Sequence, residues 1–310
     1  MAGGGTDIDF YYRKRNGYFS SVAIDQYVYV LLHERGIEKN YLIQTTKTEF
    51  KKSIDKISHK LIRETLRFYK IREKLHVATF ATVPTQTGLG SSSAMIVGLI
   101  NCLNRLKKLN LTRNQIFKDA YLIERKICNA YGGWQDQIIS EYGGLLNIKI
   151  SKKENIKIDK ISLTKKIKKT INNNFLLVYT NKKRESSKII LKQKQKANKI
   201  INYYDQIKSL NDQTLYYLKK NDPKKLGEIF NKHWTIKKKL SSNMTNKQID
   251  NLYEILIKEF NFYGGKLIGA GGGGFFLMVG NNLNYKINKL KIRGFESLRF
   301  NIEKKGSLII

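Results

Sequence analysis

The chain has 310 residues, with 58 Lys and Arg against 25 Asp and Glu, a formal net charge of +33 and 41% hydrophobic residues. That length can bury the core of one large or two modest domains, and no run approaches the ~18 uninterrupted apolar residues of a membrane helix, which excludes a membrane-spanning reading. Lysine is spread along the whole chain, as in NIKIDKISLTKKIKKTINNN, and not gathered on one stripe with interleaved aromatics, so the charge argues against a nucleic-acid partner and suits an anionic small substrate.

The first ten residues, MAGGGTDIDF, lack the basic then apolar layout of a secretory signal. YFSSVAIDQYVYVLLHE (18–34) has the β-branched and aromatic content of a strand. EFKKSIDKISHKLIRETLRFYKI (49–71) places Ile54, Ile57, Leu61 and Leu66 for an amphipathic helix. LHVATFATV (75–83) alternates and predicts a strand. After a glycine-serine turn, Ile96, Leu99, Ile100, Leu103 and Leu106 recur at helical spacing. Thr112 with Gln115 makes a capping box, opening a helix through Ile116, Ile123 and Ile127. GGLLNIKI closes this half as a strand. The second half begins near residue 160, with NNFLLVYTN as a short buried strand and two lysine-rich helices over 186–210 and 212–240. A helix over 246–260 follows, then GGKLIGAGGGGFFLMVG as strand, glycine turn and strand, and a short helix before LRFNIEK. This alternation has no strict βαβ rhythm, so the fold class expected is α+β. Cys102 and Cys128, the only cysteines, fall in apolar helical patterns and read as buried free thiols, which fits a reducing cytoplasm. The four histidines show no ligand-like spacing, and no zinc site is expected.

Four stretches carry chemistry. In TVPTQTGLGSSSAMIVGLINCL (82–103), Gly88 and Gly90 can take φ > 0, and Ser91, Ser92 and Ser93 sit where the next helix has unsatisfied N–H groups. Together these make an anion site, with hydroxyls available to phosphate or magnesium. No Gly-Lys-Ser/Thr ending follows, so it is not a Walker loop, and serine at 93 ahead of a long helix disfavours a dinucleotide site. A plain strand-to-helix turn stays open. GAGGGGFF (269–276) spends more glycine than a hairpin needs, which points to close backbone packing. In AYGGWQDQIISEYGG, Asp136 is either a base toward a substrate hydroxyl or a helix cap. Glu124 is either a magnesium ligand or half of a surface ion pair with Arg125 or Lys126. GGGTD (3–7) suits a polyhydroxyl ligand, or an unstructured start.

In this order the stretches resemble the galactokinase, homoserine kinase, mevalonate kinase and phosphomevalonate kinase (GHMP) superfamily. PTQTGLGSSSA is similar to its motif P-x-x-x-G-L-G-S-S-A, and GAGGGGFF to its C-terminal glycine motif. Within it, AGGGTD, GLGSSSAM, GGWQDQ with YGGLLNI, VYTNKKR and HWTIKKKLS before KLIGAGGGGFF most resemble D-glycero-D-manno-heptose 7-phosphate kinases, over essentially the whole chain. The resemblance implies an N-terminal domain over 1–160 like domain 2 of ribosomal protein S5 and a ferredoxin-like domain over 161–310. It implies ATP, Mg²⁺ and a small sugar-phosphate partner, with transfer to the anomeric hydroxyl of heptose 7-phosphate, feeding nucleotide-heptose and surface polysaccharide synthesis. Thr87, Gly88, Leu89, Gly90, Ser91, Ser92, Ser93 and Ala94 would wrap the ATP phosphates, and Ser92 with Glu124 would hold Mg²⁺. Asp136 would take the proton of the attacking hydroxyl. Gly4, Gly5, Thr6 and Asp7 would face the sugar, and Arg184 its phosphate. Gly271, Gly272, Gly273 and Gly274 would pack under the site. Relatives carry a strand like R-I-S-F just before AGGGTD; it would precede Met1, so either the start lies upstream or this form lacks that edge strand and its arginine. A fucokinase-like specificity, or a basic nucleic-acid-binding protein, are the competing readings.

Overall fold

A computed structural model describes residues 1–183 and 186–310. The chain folds as α+β with three antiparallel or mixed sheets. β1 (Gly17–Val22), β6 (Leu145–Ile150) and β7 (Ile156–Lys160) form one sheet in the order β1-β6-β7. A second sheet has the order β2-β5-β3-β4, built from β2 (Val28–Glu34), β3 (Tyr41–Gln44), β4 (Thr48–Lys51) and β5 (Leu75–Ala81). The third, in the C-terminal half, is antiparallel: β8 (Phe175–Tyr179), β9 (Gly264–Leu267), β10 (Phe275–Val279) and β11 (Ser297–Leu298), ordered β11-β8-β10-β9.

Helix α1 (Asp9–Arg15) follows the GGGTD loop, so the start of the chain is ordered. Ala2 bridges to Ser20 of β1. α2 (Lys60–Phe68), α3 (Ser91–Lys107) and α4 (Arg113–Tyr121) cover the second sheet, and α4 runs into one π-helical turn at Leu122–Ile127. Ile96, Leu99, Ile100 and Leu103 of α3 are all fully buried. At roughly 1.5–3 kcal/mol for each such side chain, this face anchors the helix whose first turn forms the site. α5 (Gln135–Tyr142) leads into β6; Trp134 just before it stacks on Tyr121 with ring centroids 3.4 Å apart. The C-terminal half adds α6 (Lys165–Asn174), α7 (Ser186–Gln195), α8 (Ala197–Lys220), α9 (Pro223–Lys238), α10 (Lys247–Lys258) and α11 (Leu283–Ile292).

Three expected elements come out differently. The strand expected over 18–34 is two strands, because Asp25 between them is held by Asn301, whose backbone N–H and side-chain amide both donate to its carboxylate, at 2.8 and 2.9 Å. The helix expected over 49–71 begins only at Lys60; Thr48–Lys51 pairs with β3 instead, and Glu49 accepts from the amides of Ser58 and His59 to fix the turn between. The helix expected over 212–240 is split at Asn221, whose φ of 60° is left-handed, and α9 restarts at Pro223 under an Asp222 cap. Cys102 is only partly buried and Cys128 buried, and both are free.

The largest core cluster joins Tyr11 and Leu145 to residues from Ile167 to Phe300, so it spans both halves. The last residues also return to the first half: Glu303 N–H donates to Ala23 O, and Gly144 N–H to Glu303 O. No helix among the described residues is long and apolar enough to cross a membrane.

Candidate active site

A cavity of about 780 Å³ opens where the GGGTD loop, the start of α3, the π-helical turn, the start of α5, α9 and β9 converge. Its floor on one side is the first turn of α3. Gly88 (φ +84°) and Gly90 (φ +75°) turn the chain into that helix, and no side chain caps it. The N–H groups of the first turn are therefore left for a ligand, at the positive end of the helix. Gly88, Gly90, Ser91, Ser92 and Ser93 all line the cavity. Thr87, Leu89 and Ala94 do not: Thr87 is buried with its hydroxyl donating to Pro84 O, and Leu89 packs toward the large core. Leu89 and Ala94 instead line an adjoining cavity of about 910 Å³, which shares Gly88 and Asp136 with the first.

Glu124 is reached from the same helix. The Ser92 hydroxyl donates to its Oε1 at 2.9 Å, and the Ser93 hydroxyl to its Oε2 at 2.7 Å. Gln137 also donates to Oε2, at 2.6 Å, and Arg125 lies 3.3 Å from Oε1. Glu124 is 3% exposed, so its pair with Arg125 is a buried one and not the surface pair that the sequence left open. Among the described residues no three carboxylates, histidines or cysteines gather as a metal cluster. A hydroxyl and one carboxylate in contact are instead the hard oxygen donors that Mg²⁺ uses when phosphates and water fill the remaining positions.

Asp136 lies in the first turn of α5 and does not cap it. The cap comes from Asp7, whose Oδ2 accepts from Gln135 N–H at 3.0 Å while Oδ1 accepts from Gly5 N–H at 3.1 Å. A Cβ built on Gly90 would stand 3.3 Å from Asp136 Cγ, so the carboxyl rests against the entry to α3. Burial pushes Asp136 above the ordinary aspartate range; Arg125 opposes this, and the charges of Asp7 and Glu124 reinforce it. Burial raises Asp7 as well, against the hydrogen bonds from the Gln135 and Gly5 amides and the charge of Arg125. Three of the chain's 25 acidic residues thus meet around a single arginine in an otherwise basic protein. Arg125 was seen in the sequence only as a neighbour of Glu124. What reveals it is tertiary: Gly132 leaves no room for a Cβ beside its guanidinium, 2.4 Å from Cζ.

Gly4, Gly5 and Asp7 line the cavity, but Thr6 does not. Its hydroxyl donates to Gly3 O at 2.8 Å and accepts from Tyr18 N–H at 3.1 Å, tying the loop to β1 with no surface exposed. Thr6 therefore braces the loop. Gly271 to Gly274 do not line the cavity and pack against neighbouring segments. A Cβ on Gly274 (φ +94°) would stand 2.0 Å from Thr87 O, and one on Gly273 would stand 2.6 Å from Lys182 O. Arg184, expected near the sugar phosphate, lies outside the described residues.

Two family models match the chain, GHMP kinases N terminal domain over 52–144 and GHMP kinases C terminal over 214–288. The chain belongs to the GHMP kinases. Among curated GHMP and related relatives, it is similar to D-glycero-alpha-D-manno-heptose 7-phosphate kinase of Campylobacter jejuni, 29% identical over 93% of this chain and 89% of that one. It is also similar to mevalonate kinase of Methanocaldococcus jannaschii, 27% identical over 77% of this chain and 75% of that one. The fold matches a crystal structure of a D-glycero-D-manno-heptose 1-phosphate kinase from Bacteroides thetaiotaomicron, with a TM-score of 0.80 and 21% identity over 100% of this chain and 96% of that one. As a GHMP sugar kinase it is an ATP-dependent phosphotransferase, and the family typically works with Mg²⁺.

Proposed function

We propose that the protein phosphorylates the anomeric hydroxyl of D-glycero-D-manno-heptose 7-phosphate, giving the 1,7-bisphosphate for nucleotide-heptose and surface polysaccharide synthesis. The observation that carries this reading is the seating of Asp136 against Gly90, which puts a proton acceptor beside the uncapped start of α3. The first-turn amides of α3 and the loop at Gly88 and Gly90 bind the ATP phosphates. Ser92 and Glu124 hold Mg²⁺, which when bound neutralises charge on those phosphates. Gly4, Gly5 and Asp7 orient the sugar, Asp7 being fixed by the amides of Gly5 and Gln135. As the anomeric oxygen bonds to the γ-phosphorus, the bond from that phosphorus to the bridging oxygen breaks, ADP leaves, and the hydroxyl proton passes to Asp136. A carboxylate raised above its ordinary range is a stronger base for that proton. Arg125 opposes the two neighbouring acids and so favours the ionised form of Asp136 against the rise that burial causes. The whole cavity is walled by protein from both halves, so positioning and charge neutralisation, which dominate phosphoryl transfer, come from preformed groups.

Similarity to a heptose 7-phosphate kinase over most of both chains supports the substrate. The test is ATP consumption with heptose 7-phosphate against free fucose, galactose and mevalonate, with the product's new phosphorus located by its NMR coupling to the anomeric proton. Heptose 7-phosphate turning over no faster than the free sugars overturns the assignment.

A further inference from the structure

The motif HWTIKKKLS has no role in the chemistry above, yet two of its side chains reach the cavity. His233 of α9 is 3% exposed and lines the cavity, and neither ring nitrogen has a hydrogen-bond partner. Lys237, one helical turn on, donates to Leu267 O at 2.8 Å and Gly269 O at 2.6 Å, which clamps α9 to the end of β9. Lys266 of β9, 6% exposed, is also on the cavity wall. Its ammonium donates to Met1 O and lies over the Phe230 ring, 5.2 Å from the centroid. No carboxylate among the described residues pairs with it. A buried ammonium with no counter-ion is costly, and burial alone brings Lys266 down to about 7. His233 is held well below its ordinary range by burial, then by the charges of Lys266 and Lys237, so it stays neutral with one ring N–H to donate. A neutral donor and an uncompensated cation facing one cavity are the complement of an anion.

We propose that Lys266 and His233 form the subsite for the phosphate that the sugar acceptor already carries. This rests on the reading of the substrate as a sugar phosphate. The choice of the acceptor's phosphate over those of ATP follows from connectivity. Lys266 bonds to Met1, which leads within a few residues into Gly4, Gly5 and Asp7, whereas the uncapped amides of α3 rise from the other half of the fold. All three basic side chains come from α9 and β9, opposite the serines. The subsite explains how a kinase site selects a phosphorylated sugar over the free one: without the anion, Lys266 is left buried with no counter-ion and His233 with no hydrogen-bond partner, and that difference is a large one.

The test is calorimetry on the protein saturated with Mg²⁺ and a non-hydrolysable ATP analogue, titrated with inorganic phosphate and with heptose 7-phosphate. Both are expected to bind wild type, and Lys266→Met is expected to weaken both by about tenfold or more, the loss of a charge-assisted hydrogen bond. Lys266→Arg should recover most of the heptose 7-phosphate affinity. In turnover Lys266→Met should raise KM for the sugar phosphate and leave KM for ATP within about twofold. His233→Leu should move the same readings in the same direction, and it stands as the test if Lys266→Met does not fold. A rise in KM for ATP in place of the sugar phosphate would assign the lysine to the nucleotide and overturn the subsite, as would a saturated wild type that binds neither probe. If wild type uses free heptose as well as its 7-phosphate while phosphate still binds through Lys266, the substrate reading fails and the subsite stands.

Discussion

At the scale of single residues, the site is a balance of buried charges, and its consequences are measurable. Asp136→Asn removes the proton acceptor and is expected to lower kcat by roughly 10²–10⁴-fold. Stability should not fall with it. A carboxyl whose folded pKa is raised favours the folded state fully only below its unfolded pKa, and that contribution is lost as pH rises through the folded pKa. Once ionised, Asp136 is therefore a cost to the fold, and the neutral amide should melt at the same temperature as wild type or higher. Matched melting curves at pH 7 check this. The acid limb of kcat should fall above the ordinary aspartate range, with activity lost as pH decreases through it. Because the charge of Asp7 helps to raise Asp136, Asp7→Asn should move that limb to lower pH, which a pH profile of kcat reads directly. Ser92→Ala leaves Glu124 with Ser93, Gln137 and Arg125, so the fold should hold. The Mg²⁺ concentration for half-maximal rate should nevertheless rise by about tenfold or more.

At the scale of elements, the glycine loop before β10 acts through contact and not through chemistry. Its carbonyls and amides tie into the turn after β8: Thr180 N–H donates to Gly274 O and Gly274 N–H to Lys182 O. Gly274→Ala would drive a methyl into Thr87 O at a positive φ that alanine disfavours. A loss of about 2 kcal/mol or more in denaturant unfolding is expected, with a raised KM for ATP because Thr87 leads into the phosphate loop. Gly36→Ala is the matched control, since nothing lies within 4 Å of its Cβ position, and it should leave both readings unchanged.

At the scale of the whole molecule, the largest core cluster and one cavity reach across the two halves, so ligand binding should report on both. Mg²⁺ with an ATP analogue at a hundredfold excess over its Kd is expected to stabilise the fold by about 2.7 kcal/mol, visible as a single shifted transition in thermal melts. A transition that splits, with only one part shifting, would mean the halves unfold independently. The +33 charge bears on this scale too. It is carried by dispersed lysines, while the cavity itself is lined by carboxylates on one side and by Lys237 and Lys266 on the other.

The sequence by itself determined the elements with strong periodicity and the motifs of local geometry. α3, the capping box at Thr112 and the turn at Gly88 and Gly90 were legible because each depends on residues close together in the chain. The pairing of Ser92 with Glu124 and the place of Asp136 came from family resemblance, since no local pattern links residues 32 apart. Only the tertiary structure decided the rest. Asn301 broke the first long strand from 276 residues away, and Thr6 became a brace because β1 passed beside it. Arg125 read as half of a surface ion pair, and nothing local in the sequence singled out His233 or Lys266 as a phosphate contact. They became a site only when burial stripped away their water, because the cost and the use of a charge depend on what surrounds it, and that is set by the fold.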